Sequence, residues 1–160
     1  MTAQTETKRW RRWLLAYAPL FLWTGVILFL SSDAGAMTKT SRFIRPLLEF
    51  LFPSASEETL LFYHGLIRKA AHLTEYGILA ILAARVFAGS ARTALSKYWY
   101  IAAIWLVAII AIADELNQSL LSTRTGSIYD VYLDVAGGML AIAVLLLLRR
   151  WRLVRSILYS

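Results

Sequence analysis

Polar residues spaced by three open an otherwise apolar stretch, RKAAHLTEYGILAILAARVF (residues 68–87). At this spacing Lys69, His72 and Glu75 share one face of a helix. An imidazole beside a carboxylate can hold or transfer a proton. We therefore predict that His72 is a general acid or base and that Glu75 orients it or shares its proton. Lys69 is predicted to bind an anionic part of a substrate.

A second polar group ends another apolar run, in AIADELNQSLLSTRTGS (residues 111–127). Asp114 and Glu115 are adjacent, and two carboxylates so close can share a proton. Both are predicted to be catalytic. Gln118, four residues after Asp114, and Arg124, in the polar turn, are predicted to bind substrate, since a guanidinium can grip an anionic headgroup with two hydrogen bonds.

A third group begins the last apolar run, in SIYDVYLDVAGGM (residues 127–139). Asp130 and Asp134 are four residues apart, on one face of a helix, and are predicted to bind substrate. Each polar residue also has a structural interpretation. His72 can be a buried hydrogen-bonding histidine, the carboxylates can be ion-pair partners, and Asp130 can be a first-turn acid favoured by the helix dipole.

The elements that must position these residues are long apolar runs. The chain of 160 residues is 59% hydrophobic and 17% charged, with a mean hydropathy of +0.58. A span needs about 20 mostly apolar residues. Four runs have about that length: residues 13–30, 66–88, 98–116 and 131–148. We predict an all-α membrane protein with four transmembrane helices and a short outer amphipathic helix, residues 41–52, between the first and second. Ser41 is expected to cap that helix.

Basic residues indicate the orientation of the spans. Eleven of the 17 Lys and Arg residues flank the runs at the side that holds both chain ends, and six lie at the other side. The positive-inside rule then places both termini in the cytoplasm and the polar groups in the outer half of the membrane. The predicted divisions are a cytoplasmic N-terminus (1–12), the membrane domain (13–148) and a cytoplasmic tail (149–160). The predicted location is the plasma (inner) membrane.

An alternative applies to the first run. Basic residues before it and Ala34-Gly35-Ala36 after it resemble a signal peptide with a small-residue cleavage site. The run is longer than the core of a typical signal peptide, about 7–15 residues, so a retained span is the favoured interpretation. Cleavage would leave the other three spans in the same orientation.

Several kinds of chemistry have no support in the sequence. The chain has no cysteine, which excludes disulfides and thiolate chemistry. The zinc motif H-E-x-x-H, the nucleophile elbow G-x-S-x-G and the phosphate-binding glycine motifs do not occur. Carboxylates with one histidine suit Mg²⁺, Mn²⁺ or Ca²⁺ better than a closed zinc site. We predict no resident cofactor, with a divalent cation left open, and no nucleic-acid partner.

The ordered motifs resemble those of the VanZ-like family. The resemblance rests on Lys69-x-x-His72 with Tyr76, on Asp114-Glu115-x-x-Gln118, on Arg124-x-Gly126-Ser127-x-x-Asp130, and on Ser31-Ser32 after the first run. It covers about residues 14–147. Asp134 departs from the family pattern, in which asparagine is the expected residue. The resemblance implies a small bacterial membrane protein of about four spans, in a family whose founding member is associated with teicoplanin resistance.

These observations together predict an envelope protein with a polar cavity open to the outside. Its expected partner is a membrane lipid or a lipid-linked envelope precursor with an anionic group. Whether it is an enzyme stays open. The alternatives are a non-enzymatic accessory or sensor subunit and, less favoured, a proton-coupled transporter. A transporter of four spans would have to be an oligomer, and homo- or hetero-oligomers are both compatible with the sequence.

Overall fold

The fold was described from a computed structural model, which places residues 3–32, 37–121 and 126–158. Within these ranges the regular elements are six helices and no strands. They are α1 (Ala3–Ser31), α2 (Met37–Leu51), α3 (Glu57–Ala88), α4 (Thr93–Lys97), α5 (Trp99–Ser119) and α6 (Ile128–Leu158). The predicted all-α class is confirmed.

Four of these helices are long and apolar enough to cross a membrane. The candidate spans are Leu14–Ser31, Glu57–Ala88, Trp99–Ser119 and Ile128–Trp151. Each contains most or all of one predicted run, so the prediction of four transmembrane helices is confirmed. The small residues 34–36 of the signal-peptide alternative lie outside the described residues.

The amphipathic helix between the first two spans differs from its prediction. It begins at Met37, four residues before the expected Ser41, and ends at Leu51. Ser41 is therefore an interior residue rather than a cap, and its hydroxyl is hydrogen-bonded to Nδ1 of His64 at 3.2 Å. Leu48 is buried, whereas Phe43 and Phe50 are exposed. An apolar face left outside the protein suits a helix that lies in a membrane interface.

Helix α3 is longer than the apolar run that predicted it. Its N-cap is Ser56, whose side chain accepts a hydrogen bond from the backbone N–H of Thr59 at 3.3 Å. Its 32 residues span about 48 Å, against about 30 Å for the hydrocarbon core. Counting about 20 residues back from Ala88 reaches Lys69. A membrane core that ends at Ala88 would therefore place His72 about one turn inside it, and the start of α3 extends beyond that length to contact α2.

Two contacts show that α1 and α3 are antiparallel. The indole of Trp23 donates a hydrogen bond to the carbonyl of Glu75 at 2.9 Å. The guanidinium of Arg85, near the other end of α3, donates to the carbonyl of Leu15. Tyr76 of α3 also contacts Asp114 near the end of α5, and His72 contacts Asp134 near the start of α6, so the four spans alternate in direction. We call the end that holds Ser31 and His72 the site end, and the end that holds Arg85, the start of α1 and the end of α6 the terminal end.

Glycines allow α3, α5 and α6 to pack closely. A Cβ on Gly137 would overlap the backbone carbonyl of Leu73, and a Cβ on Gly138 would lie 2.9 Å from a methyl group of Val107. Small residues at a helix interface permit such an approach. Leu73 follows His72 directly, and Gly137 lies three residues after Asp134. The contact of α3 with α6 therefore brings His72 and Asp134 together.

Candidate functional site

Four titratable side chains from three helices converge at the site end. They are His72 of α3, Asp114 and Glu115 of α5, and Asp134 of α6. One nitrogen or oxygen atom from each lies within 4.8 Å of the others. The three carboxylic residues are at least 94% buried, and His72 is partly exposed. We call these four residues the acidic cluster.

The pair of His72 and Asp134 joins α3 to α6. Nδ1 of His72 lies 3.1 Å from Oδ1 of Asp134. Asp134 has no exposed surface, whereas 18% of the His72 side chain is accessible. A carboxylate that contacts one ring nitrogen fixes the orientation of the imidazole. His72 is thereby held at the edge of the cluster that solvent or a ligand can reach.

Two neutral side chains hold Asp114 in place. The hydroxyl of Tyr76 donates a hydrogen bond to Oδ2 of Asp114 at 2.8 Å. The side-chain amide of Gln118 donates to Oδ1 at 3.0 Å. All three residues are buried. Tyr76 was part of the family resemblance but was not predicted as a site residue. Because it lies four residues after His72, helical spacing was the signal that could have identified it.

Glu115 is held by the backbone that begins α6. The N–H of Ser127 donates a hydrogen bond to Oε2 of Glu115 at 2.6 Å. Gly126 makes this contact possible, because a Cβ there would lie 2.5 Å from the carbonyl oxygen of Glu115. The return of the chain after α5 therefore needs a glycine at position 126, and it gives one carboxylate oxygen a fixed donor.

Helix α1 braces the same region through Ser31. Its hydroxyl donates a hydrogen bond to the backbone carbonyl of Asp114 at 3.3 Å. In turn the side-chain amide of Asn117 donates to Oγ of Ser31 at 3.2 Å. The sequence interpretation included Ser31 only as part of a motif, and it missed Asn117. The signal for Asn117 was its position among the polar residues at the end of α5, between Asp114 and Gln118.

A cavity of about 120 Å³ opens beside the cluster. Its walls come from α1, α2, α3 and α5. Apolar side chains form one part of the lining: Ile27, Leu30, Ile44, Ile67 and Ala71. Polar side chains form the other part: Ser31, Thr40, Arg68, His72, Glu75, Asp114 and Gln118. The cavity therefore has both apolar and polar surface.

The remaining predicted site residues are placed around this core. Glu75 lines the cavity but does not belong to the acidic cluster. Lys69 is exposed and does not line the cavity, whereas the neighbouring Arg68 does line it. Asp130 is half-buried in the first turn of α6 and lies outside the cluster. Arg124 lies outside the described residues.

The charge of the cluster limits its chemistry. Three carboxylates and one imidazole share a buried volume, and burying like charges together is costly unless they are compensated. Protons or a bound cation can provide the compensation. With protons, the cluster is an acid–base group that His72 connects to the cavity. With a cation, it is a metal centre at the base of the same cavity.

Comparison with known proteins identifies a family. A family model described as VanZ/LLP1 matches residues 15–149. No curated protein and no solved structure matches the chain. The matched region runs from Leu15 in the first candidate span to Arg149 in the fourth, and it includes every residue of the acidic cluster.

Proposed function

The chain belongs to the VanZ/LLP1 family, and we propose that it binds an anionic, lipid-linked substrate of the bacterial envelope. The site end faces outward in this proposal, and the substrate occupies the cavity beside the acidic cluster. As a VanZ-like membrane protein it has a family link to teicoplanin resistance, and the substrate would be a component on which such resistance depends.

The observation that carries the proposal is the mixed lining of the cavity. Ile27 and Ile44 contribute apolar surface to the lining, while His72 and Asp114 contribute polar surface. A lipid-linked molecule has both surfaces, since an acyl or prenyl chain is joined to a polar head. Helix α2, whose exposed face includes Phe43 and Phe50, lies at the cavity through Thr40 and Ile44. It borders the route from the lipid interface to the cavity.

A basic residue favours a substrate with negative charge. Arg68 lines the cavity, about one turn of α3 from His72. A guanidinium can bind a phosphate or carboxylate through two parallel hydrogen bonds. The sequence prediction gave this role to Lys69, but its exposure makes Arg68 the better-placed cation. Arg124 stays a predicted substrate ligand.

Modification of the substrate would use His72 in the protonated, cation-free form of the acidic cluster. Its ring lies between the cavity and Asp134, which suits a group that exchanges a proton with a bound molecule. Glu115 and Asp114 would then hold or share the proton behind it. Asp114→Asn and Glu115→Gln preserve shape and remove the acid. An acid–base enzyme should lose at least tenfold in turnover with either variant, given the usual contribution of such groups.

Binding can be tested with a polyprenyl phosphate and the matching uncharged polyprenol. Full-length protein in lipid nanodiscs would be titrated with each lipid, and occupancy would be measured by native mass spectrometry. We expect the phosphate to bind at least tenfold more tightly than the alcohol. Equal affinity for the two lipids would contradict the proposal of an anionic substrate.

A pair of variants on α2 tests the location of binding. Ile44→Trp places a larger side chain in the cavity lining and should weaken binding of the phosphate at least tenfold. Phe43→Trp is the matched control, because Phe43 is 78% exposed and is not among the residues that line the cavity. Similar losses in both variants would contradict binding in this cavity.

An accessory or sensing role is the second candidate. The observation that favours it is the bonding of Asp114, whose two oxygens are both occupied by Tyr76 and Gln118. Such a carboxylate can serve to hold helices together. A sensor or scaffold would tolerate Asp114→Asn and Glu115→Gln wherever hydrogen bonds persist. Unchanged teicoplanin susceptibility with both variants, in cells where deletion of the gene changes it, would favour this role over catalysis.

A further inference from the structure

We propose that the acidic cluster is a binding site for one divalent cation, of the chemical class of Mn²⁺ and Mg²⁺. The ligands would be His72, Asp114, Glu115 and Asp134. This inference goes beyond the proposed function and does not depend on it, because the cation can be measured without any lipid substrate.

The distances within the cluster fit a coordination sphere. One donor atom from each residue lies within 4.8 Å of the others. Ligands on opposite sides of a cation lie two bond lengths apart, about 4.2 Å for Mg²⁺ and about 5 Å for Ca²⁺. The four atoms therefore need little or no movement to surround one ion. They come from α3, α5 and α6, so a bound ion would also join these helices.

Two buried oxygens in the cluster supply independent support. Oε1 of Glu115 and Oδ2 of Asp134 have no hydrogen-bond partner among the described residues. Glu115 is 6% exposed and Asp134 is 0% exposed. A buried acceptor without a donor costs about 1–3 kcal/mol, more when it is charged. A cation that accepts a lone pair from each oxygen would remove that cost.

The partners of the same carboxylates leave room for an ion. The N–H of Ser127 binds Oε2 of Glu115, and His72 binds Oδ1 of Asp134. In both residues one oxygen is fixed and the other is available. Asp114 is oriented by Tyr76 and Gln118, and each of its oxygens keeps a second lone pair. Donors that orient ligands in this way are typical of metal sites.

The ligand set selects the class of metal. Three carboxylates provide hard oxygen atoms, which suit Mg²⁺, Ca²⁺ and Mn²⁺, while the imidazole favours a transition metal. Mn²⁺ accepts both. A divalent ion would also compensate two of the three negative charges. Its route to the site is the adjoining cavity, which His72 and Asp114 both line.

Mn²⁺ alone is the probe for the test. Full-length protein in nanodiscs of a zwitterionic lipid would be treated with a chelator, washed and titrated with Mn²⁺. The EPR signal of the free ion measures binding, and we expect one tight site per chain. The electron spin echo of the bound ion should show coupling to an imidazole nitrogen, and His72→Gln should abolish that coupling.

Matched variants separate this site from general attraction to negative charge. Asp134→Asn and Glu115→Gln should each weaken Mn²⁺ binding at least tenfold. Asp130→Asn removes a carboxylate one turn away on α6 and should change the affinity less than twofold. Equal losses in all three variants, or no nitrogen coupling in the wild-type protein, would overturn the proposal. The nitrogen coupling in the wild-type spectrum tests whether Mn²⁺ binds to a histidine even if a variant fails to fold.

Discussion

The two ends of the helix bundle differ in the polarity of their buried side chains. Among the residues that the structure describes, six polar or charged side chains are buried, and all six lie at the site end: Ser31, His64, Asp114, Glu115, Gln118 and Asp134. The buried residues at the terminal end are apolar or aromatic, including Ala83, Ala84 and Trp99. The same four spans therefore carry a polar interior at one end and an apolar one at the other.

Charge at the terminal end stays at the surface. Arg149 lies over the ring of Trp99 at 5.8 Å, and Lys97 lies over Tyr98 at 5.2 Å. Basic and aromatic residues at this level are typical of a membrane interface. A cavity of about 400 Å³ also occurs there, lined mainly by apolar residues with Arg85 and Arg149 at its edge. It is larger than the cavity at the site end, yet the acidic cluster is not part of it.

The larger cavity and the buried polar residues therefore lie at opposite ends of the bundle. An apolar groove between spans can be filled by lipid chains at no cost in buried charge. Buried carboxylates inside a membrane are expensive, and they mark functional sites for that reason. We expect the site end to depend on its close packing and its polar contacts in ways that the terminal end does not.

The largest expected effect comes from the glycine that brings α3 and α6 together. Gly137→Ala would place a methyl group against the carbonyl of Leu73, which is backbone and cannot rotate away. We expect a loss of about 3 kcal/mol in the free energy of unfolding, measured by denaturant titration in detergent micelles. Gly65→Ala is the control, since a Cβ there has no atom within 4 Å. A loss as large at Gly65 would contradict the packing account.

The next effect concerns two adjacent basic residues. Arg68→Gln should weaken binding of the polyprenyl phosphate about tenfold, because a charge-assisted hydrogen bond is worth about 1.5–3 kcal/mol. Lys69→Gln should have less than a twofold effect, because Lys69 is exposed and does not line the cavity. Native mass spectrometry measures both. The reverse order would restore Lys69 to the role that the sequence suggested.

A smaller effect is expected from one hydroxyl group. Tyr76→Phe removes the donor to Oδ2 of Asp114 and should cost about 1 kcal/mol in the free energy of unfolding. Tyr100→Phe is the counterpart at the terminal end, where the edge-on contact with Trp99 survives the change. It should change stability by less than about 0.5 kcal/mol. Equal losses of stability in Tyr76→Phe and Tyr100→Phe would show that the site end does not depend more on its polar contacts than the terminal end does.

No loss of substrate binding is expected from a change at the terminal end. Ile81→Trp would partly fill the larger cavity, which Ile81 lines. The affinity for the polyprenyl phosphate should stay within twofold of the wild-type value in the same nanodisc assay, whereas Ile44→Trp should lower it. If Ile81→Trp lowers the affinity as much, the larger cavity is the binding site.

Much of the fold could be predicted because its signals are local. Apolar runs of span length gave all four membrane helices, and spacing placed His72, Asp114 and Asp134 on inward faces. The first and last residues of α2 could not be predicted as accurately from the sequence. Ser41 is a good cap in isolation, but its hydroxyl contacts His64 and the helix continues back to Met37. That contact is between helices, so the local sequence does not contain it.

The cluster itself was only partly predictable. The order and direction of the spans bring Asp114, Glu115 and His72 to the same end of the bundle, but they do not bring the three side chains into contact. Their convergence depends on the approach of α6 at Gly137 and on the turn at Gly126. Asp130, one turn before Asp134 on α6, does not belong to the cluster. A shift of one residue along a helix turns a side chain by about 100°, which separates Lys69 from Arg68.

We predict that the site end faces the outside of the cell, and chemical labelling of cysteines introduced one at a time measures this orientation. The chain has no cysteine of its own. Ser54→Cys would mark the exposed connection between α2 and α3, and Ala91→Cys the exposed connection between α3 and α4. An impermeant maleimide would be added to intact spheroplasts. We predict labelling at position 54 there, and at position 91 only after permeabilisation; labelling with the opposite preference would contradict the account.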